Sequence, residues 1–498
     1  MKKRNIFDTI KGQQQKRTAF NLSHDKKLSM KMGELVPILC EEVVPGDSWD
    51  VKTQSFIRLA PMIAPVMHKV DTYIHYFYVP NRIIWDGWQD FITGESAAAP
   101  PTLGAHFGIL QGELSDYLGL PMELTGSKVE AAKIMTLPHR AYNSIFNEYY
   151  RDQNLVAEVD ITDPLENQYL RKRAWEKDYF TSALPWTQKG GEGLISMSLE
   201  PRYMDESFVR KADGTPAAGD MYSAAGVYMV NNPSSPTPGR LENLDTMDGT
   251  ISVNDFRIAH RIQKWFERQA RAGSRYTETI LSHFGIHTGD ARLNRPEYLG
   301  GGKQPVVISE VLNTNGNEGG VQDVPQGHMS GHGISVGQTA KANKRFSEHG
   351  YIMGIMSVIP KTAYQEGIPK SFLRQDKFDY YWPEFAHLGE QEVMNKELWF
   401  SGSPVIDDGT FGYQSRYAEY KYKSSSVHGD MRKELLFYHM GRKFAALPAL
   451  NESFITCDTA DINSRVFAAA DAADQLWVQI HHSIIARRPM PYYGTPTI

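Results

Sequence analysis

Cysteine is almost missing: Cys40 and Cys457 are the only two in 498 residues. A chain this long cannot be stapled by one bridge, so folding in a reducing cytoplasm is expected. Neither cysteine stands in a metal-ligand spacing. Long apolar runs are missing as well. The longest, residues 59–67, is cut by Pro61 and Pro65 and falls far short of the about 20 residues that cross a bilayer. The opening Met1-Lys2-Lys3-Arg4 is followed by Asn5, Asp8, Thr9 and Lys11, where an export signal would need an apolar stretch. Alternating strand–helix units and internal repeats are also absent, which argues against a doubly wound fold and a solenoid.

What is present is a folded, soluble composition, 41% hydrophobic and 22% charged, with length for about three domains or one elaborated β domain. Aromatics at 11%, 41 glycines and 27 prolines favour strands joined by many turns. Residues 66–79 alternate, with Val70, Thr72, Ile74, Tyr76 and Tyr78 on one side and Asp71, Tyr73, His75 and Phe77 on the other, which predicts a strand. Similar runs occupy 53–60, 352–359 and 476–485, the last with Leu476, Val478, Ile480 and Ile484 on one face. Pro138 at a first helical position, with Ala141, Ile145 and Tyr149 at steps of four, predicts a helix. A second is predicted after Ser252, whose spacing to Asp255 makes a capping box, ending before Gly273. It has an apolar stripe of Ala259, Ile262, Phe266 and Ala270 and a basic stripe of Arg257, Arg261, Lys264, Arg268 and Arg271. The basic stripe could track phosphates, meet an acidic subunit, or be a solvated face.

Charge is unevenly spread. Residues 1–31 hold nine cations, Lys2, Lys3, Arg4, Lys11, Lys16, Arg17, Lys26, Lys27 and Lys31, against Asp8 and Asp25, a net +7 within a chain of −5. A flexible basic arm thus precedes an acidic body, either as a solvated tail or as a binder of nucleic-acid phosphates. Residues 205–250 change character: 20 of 46 are Gly, Pro, Ser, Thr or Asn, at net −4. They read as an insertion or long loop.

Motifs with catalytic spelling fail on context. Gly333-Ile334-Ser335-Val336-Gly337 matches a nucleophile elbow, but the preceding residues 327–332, rich in glycine and histidine, read as a loop instead of the buried strand an elbow needs. Gly300-Gly301-Gly302-Lys303 lacks the first glycine and the hydroxyl residue of a phosphate loop. His328 and His332 are four apart among glycines, and His481 and His482, on a strand, point to opposite faces. Asp407-Asp408 is turn chemistry. No catalytic residue, metal or cofactor is expected.

The order of longer segments is more specific. Asn21-Leu22-Ser23-His24, then RLAPMIAPVMH from Arg58, HYFYVPNRIIW from His75, FNEYYRDQNL from Phe146, KDYFTSALPWTQKG from Lys177, FGIHTGDARLNRPEYLGGG from Phe284, FDYYWPEFAHLGEQEV from Phe378 and ARRPMPYYGTP from Ala486 together resemble the major capsid protein of Microviridae, gokushovirus-like members above all. Residues 205–250 fall where that family carries insertions of variable length. The resemblance implies an all-β fold, one eight-stranded antiparallel jelly roll with long, partly helical loop insertions over 32–498, after a basic arm at 1–31. It implies a non-enzymatic protein, made in a bacterial host's cytoplasm and carried in the virion, that self-assembles through pentamers into a sixty-copy T=1 shell. The shell would enclose circular single-stranded DNA. The implied partners are that genome, a small basic DNA-binding virion protein, scaffolding and pilot proteins, and a bacterial surface receptor. On this view Lys2, Lys3, Arg4, Lys11, Lys16, Arg17, Lys26 and Lys27 contact DNA, while Met221, Tyr222, Tyr228 and Met229 of the insertion lie at the outer surface as candidates for host contact. On the residues alone, a carbohydrate-active jelly-roll enzyme and a monomeric single-strand binder stay open.

Overall fold

The computed structural model describes residues 17–189, 221–224, 227–230, 253–312, 327–468 and 474–493, less 96–98, 105–107, 123–124, 164, 274 and 340. The chain divides into two compact units, Met1–Thr187 with Gly273–Ile498, and Gln188–Ala272.

In chain order the strands of the first unit open with β1 (Thr18–Asn21), β2 (His24–Met30), β3 (Val36–Val43), β4 (Ser48–Leu59) and β5 (Val70–Pro80). A hairpin of β6 (Met221–Ala224) and β7 (Val227–Val230) belongs to the second unit. The first unit resumes with β8 (Glu297–Leu312), β9 (Met329–Gln338), β10 (Ala342–Arg345), β11 (Gly350–Pro360), β12 (Ala363–Tyr364), β13 (Glu390–Met394), β14 (Thr410–Ser415), β15 (Ser425–Ser426) and β16 (Leu476–Arg488). One sheet runs β1-β16-β4-β9-β8-β5-β11-β3, with β2 also on β16 and β10 on β4, every pairing antiparallel.

This sheet curls at β8. Residues 307–312 of that strand pair with β9, and residues 297–306 pair with β5. The curl lays two layers face to face. Trp49, Ile57, Val478, Ile480 and Ile484 from one meet Ile38, Leu39, Tyr76, Met356 and Val358 from the other in a single buried cluster. Side chains from facing sheets interdigitate in this way in a jelly roll, and the expected all-β fold with loop insertions is what the chain adopts. Before the curl, where β8 runs along β5, the backbone is crowded: a Cβ on Gly301 would lie 2.4 Å from the Ile74 carbonyl oxygen. Only glycine lets β8 approach β5 there.

The two layers differ in their outer faces. β4 and β16 alternate without a break, turning Trp49, Val51, Thr53, Ser55, Ile57 and Leu59, and Leu476, Val478, Ile480, His482, Ile484 and Ala486, inward. β5 and β11 are buried on both sides. Their outer face, with Phe77, Val79, Met353 and Ile355, is covered by the helix Leu137–Ile145 through Leu137, Ala141, Tyr142 and Ile145. Pro138 sits in that helix's first turn as expected, and Tyr142 Oη donates to the Leu35 carbonyl at 2.7 Å.

The predicted helix after Ser252 is Val253–Ala272. Its five cations Arg257, Arg261, Lys264, Arg268 and Arg271 are all exposed, and of the apolar stripe Ala270 is buried while Ala259 and Phe266 are partly so. One boundary needs correction. The flexible arm expected over 1–31 is not flexible throughout, because β1 and β2 line the edge of β16 in register, Thr18 opposite Arg488 and Met30 opposite Leu476. An edge strand offers unpaired backbone groups, and Leu22, Leu28 and Met30 supply apolar side chains that pack on the core. In the segment 205–250, read as a loop, β6 and β7 pair with Tyr222 opposite Met229, and its other residues lie outside the described ones.

Candidate nucleic-acid interface

The eight basic residues expected to meet DNA separate into three groups. Lys2, Lys3, Arg4, Lys11 and Lys16 lie outside the described residues. Arg17 is exposed, immediately before β1, and Lys27 is exposed on the outer side of β2. Lys26 points the other way. Its ammonium donates to the carbonyls of Pro37, at 3.1 Å, and Tyr117, and burial pulls its pKa below the usual lysine range. The period-two alternation of a strand thus turns Lys26 inward and leaves Lys27 to the surface, a distinction invisible while the segment is read as a flexible arm. For the four insertion residues, the structure gives only pairing: Met221 opposite Val230, Tyr222 opposite Met229, and Tyr228 opposite Ser223.

The motifs set aside on context have structural employment. The stretch before Ser335, expected to be a loop, is instead strand β9 from Met329 on; Ser335 is buried within that strand, and its hydroxyl donates to the Pro305 carbonyl at 2.8 Å. Lys303 bridges Asp71 at 2.9 Å and Glu176 at 3.1 Å, while Lys361 reaches Glu176 at 3.0 Å. Partial burial raises the pKa of Glu176, but the hydrogen bonds from Tyr73, Lys361 and Lys303 outweigh it and hold the group at about 2. His481 and His482 do face opposite ways: His481 meets Asp25 at 2.6 Å near the surface, and His482 is buried. Asp407, at the end of the short helical turn Pro404–Asp407, accepts from Ser401 and Gly402 just before that turn, and Asp408 pairs with Lys396 at 2.6 Å. Among the described residues no cluster of His, Cys, Asp and Glu could hold a metal ion, and no helix is long and apolar enough to cross a membrane.

One cleft, of about 410 Å³, is lined by Tyr179, Tyr364, Lys370, Arg374, Glu397 and Glu419 among others. A glycosidase would need two carboxyls available to a scissile bond. Here Glu397, its side chain 2% exposed, is held by Lys370 at 3.1 Å and by the Tyr179 hydroxyl at 2.9 Å. Glu419 accepts from Gln391 at 2.6 Å and faces Arg374 at 3.7 Å. Both carboxylates are engaged in holding the cleft wall.

The surface that sequence reading passed over is the outward side of β2, β16, β4 and β9, where Lys27, Trp477, Lys52, Phe56, Arg58 and Val336 stand. Its signal was available in the same alternation that identified the core face of β16: the skipped positions include a tryptophan and, on β4, a phenylalanine, two lysine-or-arginine positions and no leucine.

Comparison with known proteins gives a concordant result. The family model described as "Capsid protein (F protein)" matches residues 8–498. The capsid protein VP1 of Chlamydia phage 1 is 34% identical, with 99% of this chain and 97% of that protein aligned. Its counterpart in Bdellovibrio phage phiMH2K is 33% identical over 96% and 95%, and that of Spiroplasma virus 4 is 31% identical over 98% and 97%.

Proposed function

This chain belongs to the capsid (F) protein family of the Microviridae, and from that premise we propose that sixty copies close a T=1 icosahedral shell around a circular single-stranded DNA genome. As a major capsid protein it is a structural, non-enzymatic component of the virion, assembled in many copies. The observation that carries the finer reading is the charge division: residues 1–17 hold six cations against Asp8, ahead of an acidic body. Such an arm suits an anionic polymer held without regard to sequence. Sixty such arms supply a net on the order of 300 positive charges, against a genome of thousands of phosphates. A small basic virion protein therefore shares the neutralisation. Scaffolding and pilot proteins assist assembly and delivery, and a bacterial surface receptor is the target of the insertion.

Two experiments test this. In virions whose capsid protein lacks residues 2–16, the DNA content per particle should fall while closed shells of sixty chains persist in electron micrographs; unchanged DNA content would remove the arm from DNA binding. Replacing residues 205–250 by a short Gly-Ser linker should give DNA-filled particles that adsorb poorly to cells. Normal adsorption would place attachment elsewhere.

A further inference from the structure

We infer that the outward face of the β2–β16–β4–β9 layer is a platform for single-stranded DNA, on which Trp477 and Phe56 stack bases and Lys27, Lys52 and Arg58 receive phosphates. The inference rests on the reading of the shell as a container for single-stranded DNA and says which folded surface meets it.

Among the described residues no helix covers this face, unlike its counterpart. A helix covers the outer side of β5 and β11, whereas here Phe56 is 37% exposed, Trp477 46% and Val336 71%. Register fixes the arrangement: Trp477 lies opposite Arg58, Phe56 lies between Gln479 and Val336, Gln479 is opposite Lys27, and Ser483 is opposite Lys52. The two rings are therefore diagonal neighbours on adjacent strands, about 7–8 Å apart at the backbone, with cations on both flanks. The Arg58 guanidinium stands 5.7 Å from the Phe56 ring centroid.

The acids on this face are already engaged. Asp25 is bonded to His481 at 2.6 Å, and Asp50 is met by Lys341 at 3.0 Å and Arg487 at 3.7 Å. Lys52 and Arg58 make no ion pair among the described residues, leaving the face with surplus positive charge. Half-exposed rings interleaved with cations match the general pattern of sequence-tolerant single-strand binding, in which stacking and phosphate contacts add. A subunit contact would select against lysine at its centre, and this face carries two. The layer's edge strand β1 also continues directly into Arg17 and the basic residues before it.

Ultraviolet cross-linking of intact virions, followed by proteolysis and mass spectrometry, tests the platform. Nucleotide adducts are expected on peptides spanning 48–59 and 476–488. In particles carrying Trp477→Ala with Phe56→Ala, those adducts should fall at least fivefold while adducts on the arm persist. With the purified capsid protein and a 20-nucleotide oligodeoxythymidylate, each ring removed should weaken binding roughly tenfold. Lys52→Gln with Arg58→Gln should flatten the salt dependence by roughly 0.7 in log–log slope per cation. These four side chains are exposed, so the variants test binding without emptying the core. Adducts confined to the arm would overturn the platform and leave the enclosed-DNA reading standing. Labelling of Lys52 in intact particles by an amine reagent that cannot enter them would overturn the inward placement. Particles devoid of DNA would overturn the proposed function itself.

Discussion

Lowering the pH from 7 to 4.5 should cost the purified protein several kcal/mol of folding stability, because two fully buried histidines are held neutral. His482 donates from Nε2 to the Ile38 carbonyl at 3.1 Å and accepts at Nδ1 from the Thr53 hydroxyl at 2.8 Å, and Thr53 in turn accepts from Tyr76. This relay ties β16 and β4 of one layer to β3 and β5 of the other. Burial drives the pKa of His482 down to about 4, with a backbone hydrogen bond opposing and nearby cationic groups adding to the fall. His139, bonded to Ser115 at 2.9 Å, is likewise pushed to about 4 by burial. An unfolded histidine titrates near 6.5, so below that pH the unfolded chain takes up protons that the folded chain refuses. The stabilisation is complete above 6.5 and drains away as pH falls toward 4, by about 3 kcal/mol for each group. Two such groups approach the whole stability of a typical domain. Urea midpoints followed by tryptophan fluorescence between pH 7.5 and 4.5 measure it. His482→Gln, which can keep both hydrogen bonds, should remove about half the slope; a midpoint independent of pH would refute the account.

Asp47→Ala should cost about 3–5 kcal/mol, the penalty for stranding buried charge and donors. Asp47 is completely buried, accepts from the Trp49 indole at 3.0 Å and the Val44 amide at 3.2 Å, and faces the Arg488 guanidinium at 3.1 Å. Arg488 also lies 4.9 Å from the Trp49 ring centroid and donates to the Glu42 carbonyl at 2.6 Å. Removing the carboxylate leaves three donors without it inside the clamp that joins the end of β16 to the β3–β4 turn. Denaturant midpoints of Asp47→Ala, Arg488→Met and the double variant give the coupling. The double variant should recover part of the loss, and a loss below about 1 kcal/mol in Asp47→Ala would show that the clamp is dispensable.

How much of this was legible in the sequence depended on how local the cause was. β4 and β16 alternate strictly and bury one face each, so period alone reveals them. The helices Leu137–Ile145 and Val253–Ala272 carry their own start signals in Pro138 and Ser252. β5 and β11 were recognisable as strands, but their second buried face is created by a helix elsewhere in the chain. β1 was hidden by its four-residue length and β2 by His24, Lys26 and Lys27, because what makes them strands is the free edge of β16 at the far end of the sequence. The same distance effect governs the candidate surface. Lys26 and Lys27 are indistinguishable in a list of cations and are separated only by the pleat. Trp477 and Phe56 become neighbours only through the β4–β16 register.

The pairing of β16 with both β2 and β4 also sets an order in time. A chain made from its N-terminus holds β2 and β4 long before their shared partner exists, and contacts so distant in sequence close slowly. The layer that bears the outward rings and cations is thus complete only once residue 488 has emerged. Until then the root of the basic arm has no edge to grip. The face built on this register is therefore a property of the finished chain and of no shorter nascent one.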